Sequence, residues 1–185
     1  YERGFLHCDI LIIGSGPSGL AATITAGRSG ARVILIEEDF LLGGRLNSES
    51  FEINDIPAAK WVENVKAELI DMPNVRLMSR TTVVGSYDHG VYTALERVSD
   101  HIKIPQKGKA RQIFWRIYSK QSILCSGAIE RPIAFSNNDR PGIMLASAVR
   151  SYVNRWGVVP GRNVVIFTNN DNGHLTAYDL IKKGI

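Results

Sequence analysis

The sequence predicts an α/β fold: a parallel sheet flanked by helices and carrying an inserted three-stranded antiparallel β-meander. Three observations lead there. Cys8 to Glu38 alternates an apolar run, a glycine-rich turn, an Ala- and Ile-rich helix and a second apolar run. Three β-rich stretches then follow between residues 80 and 118, separated by turn and loop signals. A short buried run, Ser122–Cys125, returns afterwards and ends in Ser126-Gly127.

The first run, Ile10–Ile13, reads as a buried parallel strand. Gly14-Ser15-Gly16-Pro17-Ser18-Gly19 follows in the GxGxxG pattern, and a helix is expected from Pro17 to Ser29. A second strand, Arg32–Ile36, runs into Glu37, eighteen positions after Gly19. Strand, turn, helix and acid in this spacing make a Rossmann-like unit that receives the ADP half of a dinucleotide. Gly14 permits the tight turn, Gly16 lets backbone approach a pyrophosphate, and Gly19 lets the helix pack on the sheet. Pro17 suits the first helical position, where its missing N–H has no helical partner. The N–H groups near Ser18 and Gly19, at the positive helix end, favour a diphosphate. Glu37 can accept hydrogen bonds from ribose hydroxyls and repels a 2′-phosphate, which favours NAD or FAD over NADP.

After Glu38 and Asp39 comes Gly43-Gly44-Arg45. It reads equally as a turn beside a phosphate met by Arg45 or as a plain turn with a solvated Arg. Ala58–Asp71 is an amphipathic helix, with Ala58, Trp61, Val62, Val65 and Leu69 on one face, between Pro57 and Pro73. Val75–Met78 is a third strand. The meander takes Thr81–Tyr87, Val91–Val98 and Gln112–Tyr118, with Asp88-His89-Gly90 as its first turn. At the strand end Gly127 lies beside a pyrophosphate or simply closes the strand. A loop at Asn137–Gly142, a helix at Ile143–Trp156, a strand at Asn163–Thr168 and a helix at His174–Lys183 complete the chain. Residues 1–159 are expected to form a dinucleotide-binding domain of the FAD/NAD(P)-binding type, with its meander near 80–118. Residues 160–185 read as the start of a second, truncated α/β domain. Its Thr168–Gly173 loop lacks a glycine-rich fingerprint, so no second dinucleotide is assigned to it.

Composition narrows the function. Hydrophobic residues make up 44% and charged residues 22% of the 185, which is ordinary for a globular domain. The net charge of +4 is scattered, and its densest group, Lys103, Lys107, Lys109 and Arg111, reads as a solvated loop rather than a nucleic-acid patch. No stretch reaches membrane-spanning length, and Tyr1-Glu2-Arg3-Gly4 does not read as a signal peptide. The two cysteines, Cys8 and Cys125, belong to no CxxC pair and suit buried thiols in a reducing, cytoplasmic setting. The histidines, His7, His89, His101 and His174, have no metal-ligand spacing, so no metal site is expected. No nucleophile–base pair stands out, and no catalytic residue is expected in this chain.

Particular stretches carry a resemblance: CDILIIGSGPSGLAA, EEDFLLGGRLNSES, MPNVRLMSRTTVVGSYDHGVY, GAIERPIAFSNNDRPGIMLASAVRSYVNR and GRNVVIFTNNDNG. Along essentially its whole length the chain resembles the alpha subunits of heterotetrameric sarcosine oxidases, within the flavoproteins that have two dinucleotide-binding domains. The resemblance implies an oxidoreductase that demethylates sarcosine to glycine, with formaldehyde or methylene-tetrahydrofolate and hydrogen peroxide as products. It implies NAD in the alpha subunit, and FAD and FMN in the partner beta subunit or at the interface with it. It places NAD against Ser18, Glu37, Glu38, Asp39, Arg45 and Val84, where Val84 otherwise reads as a core residue. Two other readings stand beside it. One is the FAD-binding part of a related amine or amino-acid dehydrogenase or pyridine-nucleotide-disulfide-type reductase. The other is a structural subunit with a vestigial nucleotide pocket.

Overall fold

The computed structural model describes all of residues 1–185, and its contacts divide the chain into two compact units. The first comprises Tyr1–Gly44 and Lys60–Gly127; the second comprises Arg45–Ala59 and Ala128–Ile185. The boundary expected near residue 160 lies inside the second of these.

The first unit is built on one six-stranded sheet in the order β5-β2-β1-β8-β7-β6. Its strands are β1 (Glu2–Ile13), β2 (Val33–Ile36), β5 (Val75–Met78), β6 (Thr81–Tyr87), β7 (Val91–Arg97) and β8 (Gln112–Leu124). β5, β2, β1 and β8 run parallel, while β8, β7 and β6 are antiparallel neighbours. The α/β class and the antiparallel pairing of the three meander segments are as the sequence predicts. The meander is not a separate insertion, however. The expected strands at 112–118 and 122–125 are one strand, β8, and β1 begins at Glu2 rather than Ile10. These two long strands pair from Glu2 opposite Ile113 to Ile13 opposite Leu124. The polar stretch Ser119-Lys120-Gln121 looks like a break because the eye follows side chains, whereas the ladder uses only backbone groups. At that level Asp9 binds Arg32 at 3.0 Å and Lys120 at 2.9 Å, so the polar side chains are paired with one another.

The helices α1 (Pro17–Arg28) and α2 (Ala58–Ile70) match their expected positions to within a residue. Val62, Val65 and Leu69 of α2 are buried and Trp61 is half-buried, so the apolar face is the packed one. All four β2 residues are buried, as expected of a strand covered on both faces. One side of the sheet packs Leu11, Ile34, Ile36, Met78, Ala94 and Ile117 into a single cluster. Burial of each Leu, Ile or Met side chain there contributes about 1.5–3 kcal/mol.

The second unit contains a hairpin of β3 (Glu52–Ile53) and β4 (Ile56–Pro57), and the helices α3 (Ala146–Arg150) and α4 (Asp171–Lys182). Asn54 and Asp55, at φ 51° and 61°, form the hairpin's two central residues, as a type I′ turn requires. The helix expected over Ile143–Trp156 starts only at Ala146. The Glu130 carboxylate fixes that start, accepting the Ser147 N–H and hydroxyl at 2.8 Å each. Beyond Arg150 the helix widens into a π turn over Ser151–Arg155. α4 begins three residues before the expected His174, because the Asn170 side chain accepts the Asn172 N–H at 3.0 Å. The strand expected at Asn163–Thr168 does not form. A strand needs a neighbouring edge for its backbone groups, and this unit pairs none with it; Val165 is 96% exposed.

A buried ion network ties this unit together. Arg150, 3% exposed, pairs with Glu49 and, at 2.9 Å, with Asp179. Asp179 also accepts from Ser50 at 2.5 Å and Asn154 at 2.8 Å. No helix of the chain is long and apolar enough to cross a membrane.

Candidate functional site

β1 ends at Ile13 and the chain turns at Gly14, whose φ of 99° is left-handed and favours glycine. A Cβ at Gly14 would also collide with the Cys125 carbonyl, and one at Gly19 with the Gly14 carbonyl. These two glycines are therefore demanded by the fold. Gly16 is different. Its φ of −61° and ψ of −177° suit any residue, and a Cβ there would meet nothing within 4 Å. Open space thus lies over Gly16, at the start of α1.

The first turn of α1 supplies donors. Pro17 is the first residue of α1, and the first intrahelical bond is Leu20 N–H to Gly16 C=O at 2.9 Å. The N–H groups of Ser18 and Gly19 precede that bond and belong to the helix's positive end. No acidic side chain occupies the first turn to compete for them. On its other side Gly16 is approached by Gly44, where a Cβ would stand 3.0 Å from the Gly16 Cα. Gly44 itself has a φ of 53°. A shallow, backbone-lined cradle results, suited to an anion such as a pyrophosphate. The residues present fit the phosphate portion of an adenine dinucleotide.

Glu37, at the end of β2, is 7% exposed. Its Oε2 accepts the Ser15 N–H at 2.8 Å and the Ser15 hydroxyl at 2.6 Å, and its Oε1 accepts the Asp39 N–H at 2.9 Å. The acid named from spacing therefore braces the glycine-rich turn from within. Of about four acceptor positions on a carboxylate, three are engaged, and the remaining one is on Oε1. Glu38 points the other way and is exposed, as the alternation of an extended chain dictates. Asp39 is half-buried, and its C=O accepts the Arg80 N–H at 2.9 Å.

Val84 lies on the edge strand β6. The first residue of β6, Thr81, donates its N–H to the Glu37 C=O at 2.9 Å, which brings this strand to the end of β2. A bulge falls between Val83 and Gly85, and Val84 has no ladder partner in it. Its side chain is 54% exposed, so it is not a core residue. Gly127, with a φ of 73° and open space around it, follows two residues after the Cys125 carbonyl that packs on Gly14. Burial pushes the Cys125 thiol up, which keeps it protonated. Arg45 belongs to the second unit, where Glu49 and Asn172 engage it at 3.3 and 3.4 Å.

The first unit therefore gathers Gly14, Gly16, Pro17, Ser18, Gly19, Glu37, Asp39 and Gly44 around one turn. The residue that sequence reasoning missed is Ser15. It occupies a variable position of the GxGxxG pattern, and only a small polar residue facing an acid across the fold could have marked it.

Residues 9–92 match the family model described as FAD dependent oxidoreductase. The chain is 48% identical to sarcosine oxidase subunit alpha of Rhizobium meliloti (strain 1021), over 100% of this chain and 19% of that protein. It is 44% identical to the subunit of the same name from Corynebacterium sp. (strain P-1), with the same coverage of 100% and 19%. The solved structure of L-proline dehydrogenase from P. horikoshii matches 100% of this chain and 35% of that one, at a TM-score of 0.80 and 25% identity. Over residues 9–92 the chain is similar to the FAD-dependent oxidoreductases, and over its whole length to sarcosine oxidase alpha subunits, of whose length it spans 19%.

Proposed function

We propose that this chain is the nucleotide-holding portion of the alpha subunit of a sarcosine oxidase complex, and that its glycine-rich turn holds the ADP half of NAD. The observation that carries the reading is the open space over Gly16, at the positive end of α1 and beside the Glu37 carboxylate. The pyrophosphate takes the Ser18 and Gly19 N–H groups. One ribose hydroxyl donates to Glu37 Oε1. The backbone of Val84, at the bulge of β6, meets the adenine edge, and Asp39, Gly44 and Gly127 complete the walls.

This chain supplies binding and orientation. The oxidation of sarcosine to glycine, with formaldehyde or methylene-tetrahydrofolate and hydrogen peroxide, belongs to flavins in the beta subunit and at its interface with this subunit. The assembly is a cytoplasmic heterotetramer. Arg45 is already engaged by Glu49 and Asn172, so its part is the smallest.

A second reading, FAD in the same cradle, is favoured by the family description over residues 9–92. The test is to purify the full-length subunit with its beta partner, release the bound nucleotides by denaturation, and identify them by mass. Calorimetric titration of the stripped complex with NAD, NADP and FAD follows. NAD bound to the alpha subunit, with NADP much weaker, is the expected result. FAD in its place establishes the second reading, and binding of no adenine nucleotide overturns both in favour of a vestigial pocket.

A further inference from the structure

Three motifs separated in sequence meet at one buried hydroxyl. Ser15 is 0% exposed. Its Oγ donates to Glu37 Oε2 at 2.6 Å and accepts the Gly43 N–H at 3.1 Å. The Gly43 N–H is shared with the Ser15 C=O at 3.0 Å, and the Ser15 N–H donates to the same Glu37 oxygen at 2.8 Å. A hydroxyl has one proton to give, and here it goes to the carboxylate. The result is a continuous chain of hydrogen bonds from the glycine-rich turn to the acid and to the Gly43-Gly44 turn.

We propose that Ser15 is a positioning residue for nucleotide binding, whose hydroxyl aims the Glu37 carboxylate at the ribose and holds Gly44 against Gly16. The inference rests on the reading of this cradle as an adenine-nucleotide site, and it assigns to Ser15 what the glycine pattern leaves open. The physical reason is the choice of conformers open to Glu37. A glutamate side chain has several rotamers, and a carboxylate free to rotate loses side-chain entropy when a ligand fixes it. Bonds to Ser15 and Asp39 remove that freedom in advance and present the one remaining acceptor position on Oε1. Without the Ser15 hydroxyl, Oε2 keeps only a backbone N–H, and Gly43 keeps only the Ser15 C=O. The carboxylate is then loosened where it faces the ligand, while the backbone bonds that define the turn survive.

The test separates aiming from general support of the fold. ADP and 2′,3′-dideoxy-ADP are titrated calorimetrically into the stripped full-length subunit with its partner. They share the adenine and diphosphate and differ in the ribose hydroxyls. In the wild-type protein ADP should bind about tenfold or more tightly than the dideoxy analogue, as suits a hydrogen bond to a charged group. In Ser15→Ala that preference should shrink to less than about threefold. A purely structural role would weaken both ligands alike and leave the ratio unchanged. Ser15→Cys, of similar size but with a weak donor, gives the same readout if the alanine variant does not fold. A wild-type ratio in a folded variant overturns the proposal, as does equal binding of the two ligands by the wild-type protein. Binding of neither ligand by the wild type overturns instead the nucleotide reading beneath it.

Discussion

Gly16→Ala separates binding from folding at this site. At Gly16 the backbone, φ −61° and ψ −177°, suits an L-residue, and the added methyl meets nothing within 4 Å. Replacing glycine by alanine at such a position restricts the unfolded chain and stabilises by about 0.4–1 kcal/mol. The melting temperature should therefore hold or rise. The methyl nonetheless occupies the space through which a diphosphate approaches the Ser18 and Gly19 N–H groups. A hydrogen bond to a charged group is worth about 1.5–3 kcal/mol, so losing one weakens NAD binding by at least about tenfold and losing both by over a hundredfold. Gly14→Ala and Gly19→Ala are the contrast. Each drives a Cβ into a backbone carbonyl, and Gly14 adds left-handed strain at φ 99°, so both should lower the melting temperature sharply. Thermal melts and calorimetric titration on the same preparations read the two effects. A Gly16→Ala protein with wild-type stability and wild-type NAD affinity would refute the placement of the pyrophosphate over Gly16.

Two further predictions concern the second unit. Arg150→Met leaves the buried Glu49 and Asp179 carboxylates without their counter-charge and should destabilise this unit by about 3–5 kcal/mol. Hydrogen exchange over residues 171–182 measures it, and unchanged protection there would show that the pair contributes nothing. For Asp179, burial pushes the carboxyl up, but the bonds from Ser50, Asn154 and Arg150 outweigh it and hold the group below the ordinary carboxylate range. Its folded pKa is thus lower than the unfolded value of about 3.9. The stability it contributes is present above that value and is lost as pH falls through the folded pKa. Melting curves between pH 6 and pH 2 should fall less steeply in Asp179→Asn than in the wild type; parallel curves would refute the assignment.

Much of the architecture was legible in the residues. The apolar Ile10–Ile13 run, the GxGxxG turn and Glu37 obey local rules of periodicity, turn chemistry and spacing, and α1, α2 and the short parallel strands stand where those rules put them. The meander strands β6 and β7 were equally readable from their β-rich stretches and the Asp88-His89-Gly90 turn. Tertiary structure decided what depends on distant partners. β8 runs unbroken through Ser119-Lys120-Gln121 because β1 lies beside it along its whole length, a pairing over more than a hundred residues of chain that no local window records. The start of α3 was set by Glu130, which accepts from Ser147 from outside the helix, and Asn163–Thr168 stayed irregular for want of a paired edge. At the site itself, sequence identified the glycines and the acid by type and spacing. Only folding showed that Gly16 alone among Gly14, Gly16 and Gly19 has open space where a Cβ would stand, and that Glu37 is held by Ser15. Spacing along a chain determines which groups arrive at one turn; the direction of a carboxylate and the space beside a Cα depend on atoms brought from elsewhere.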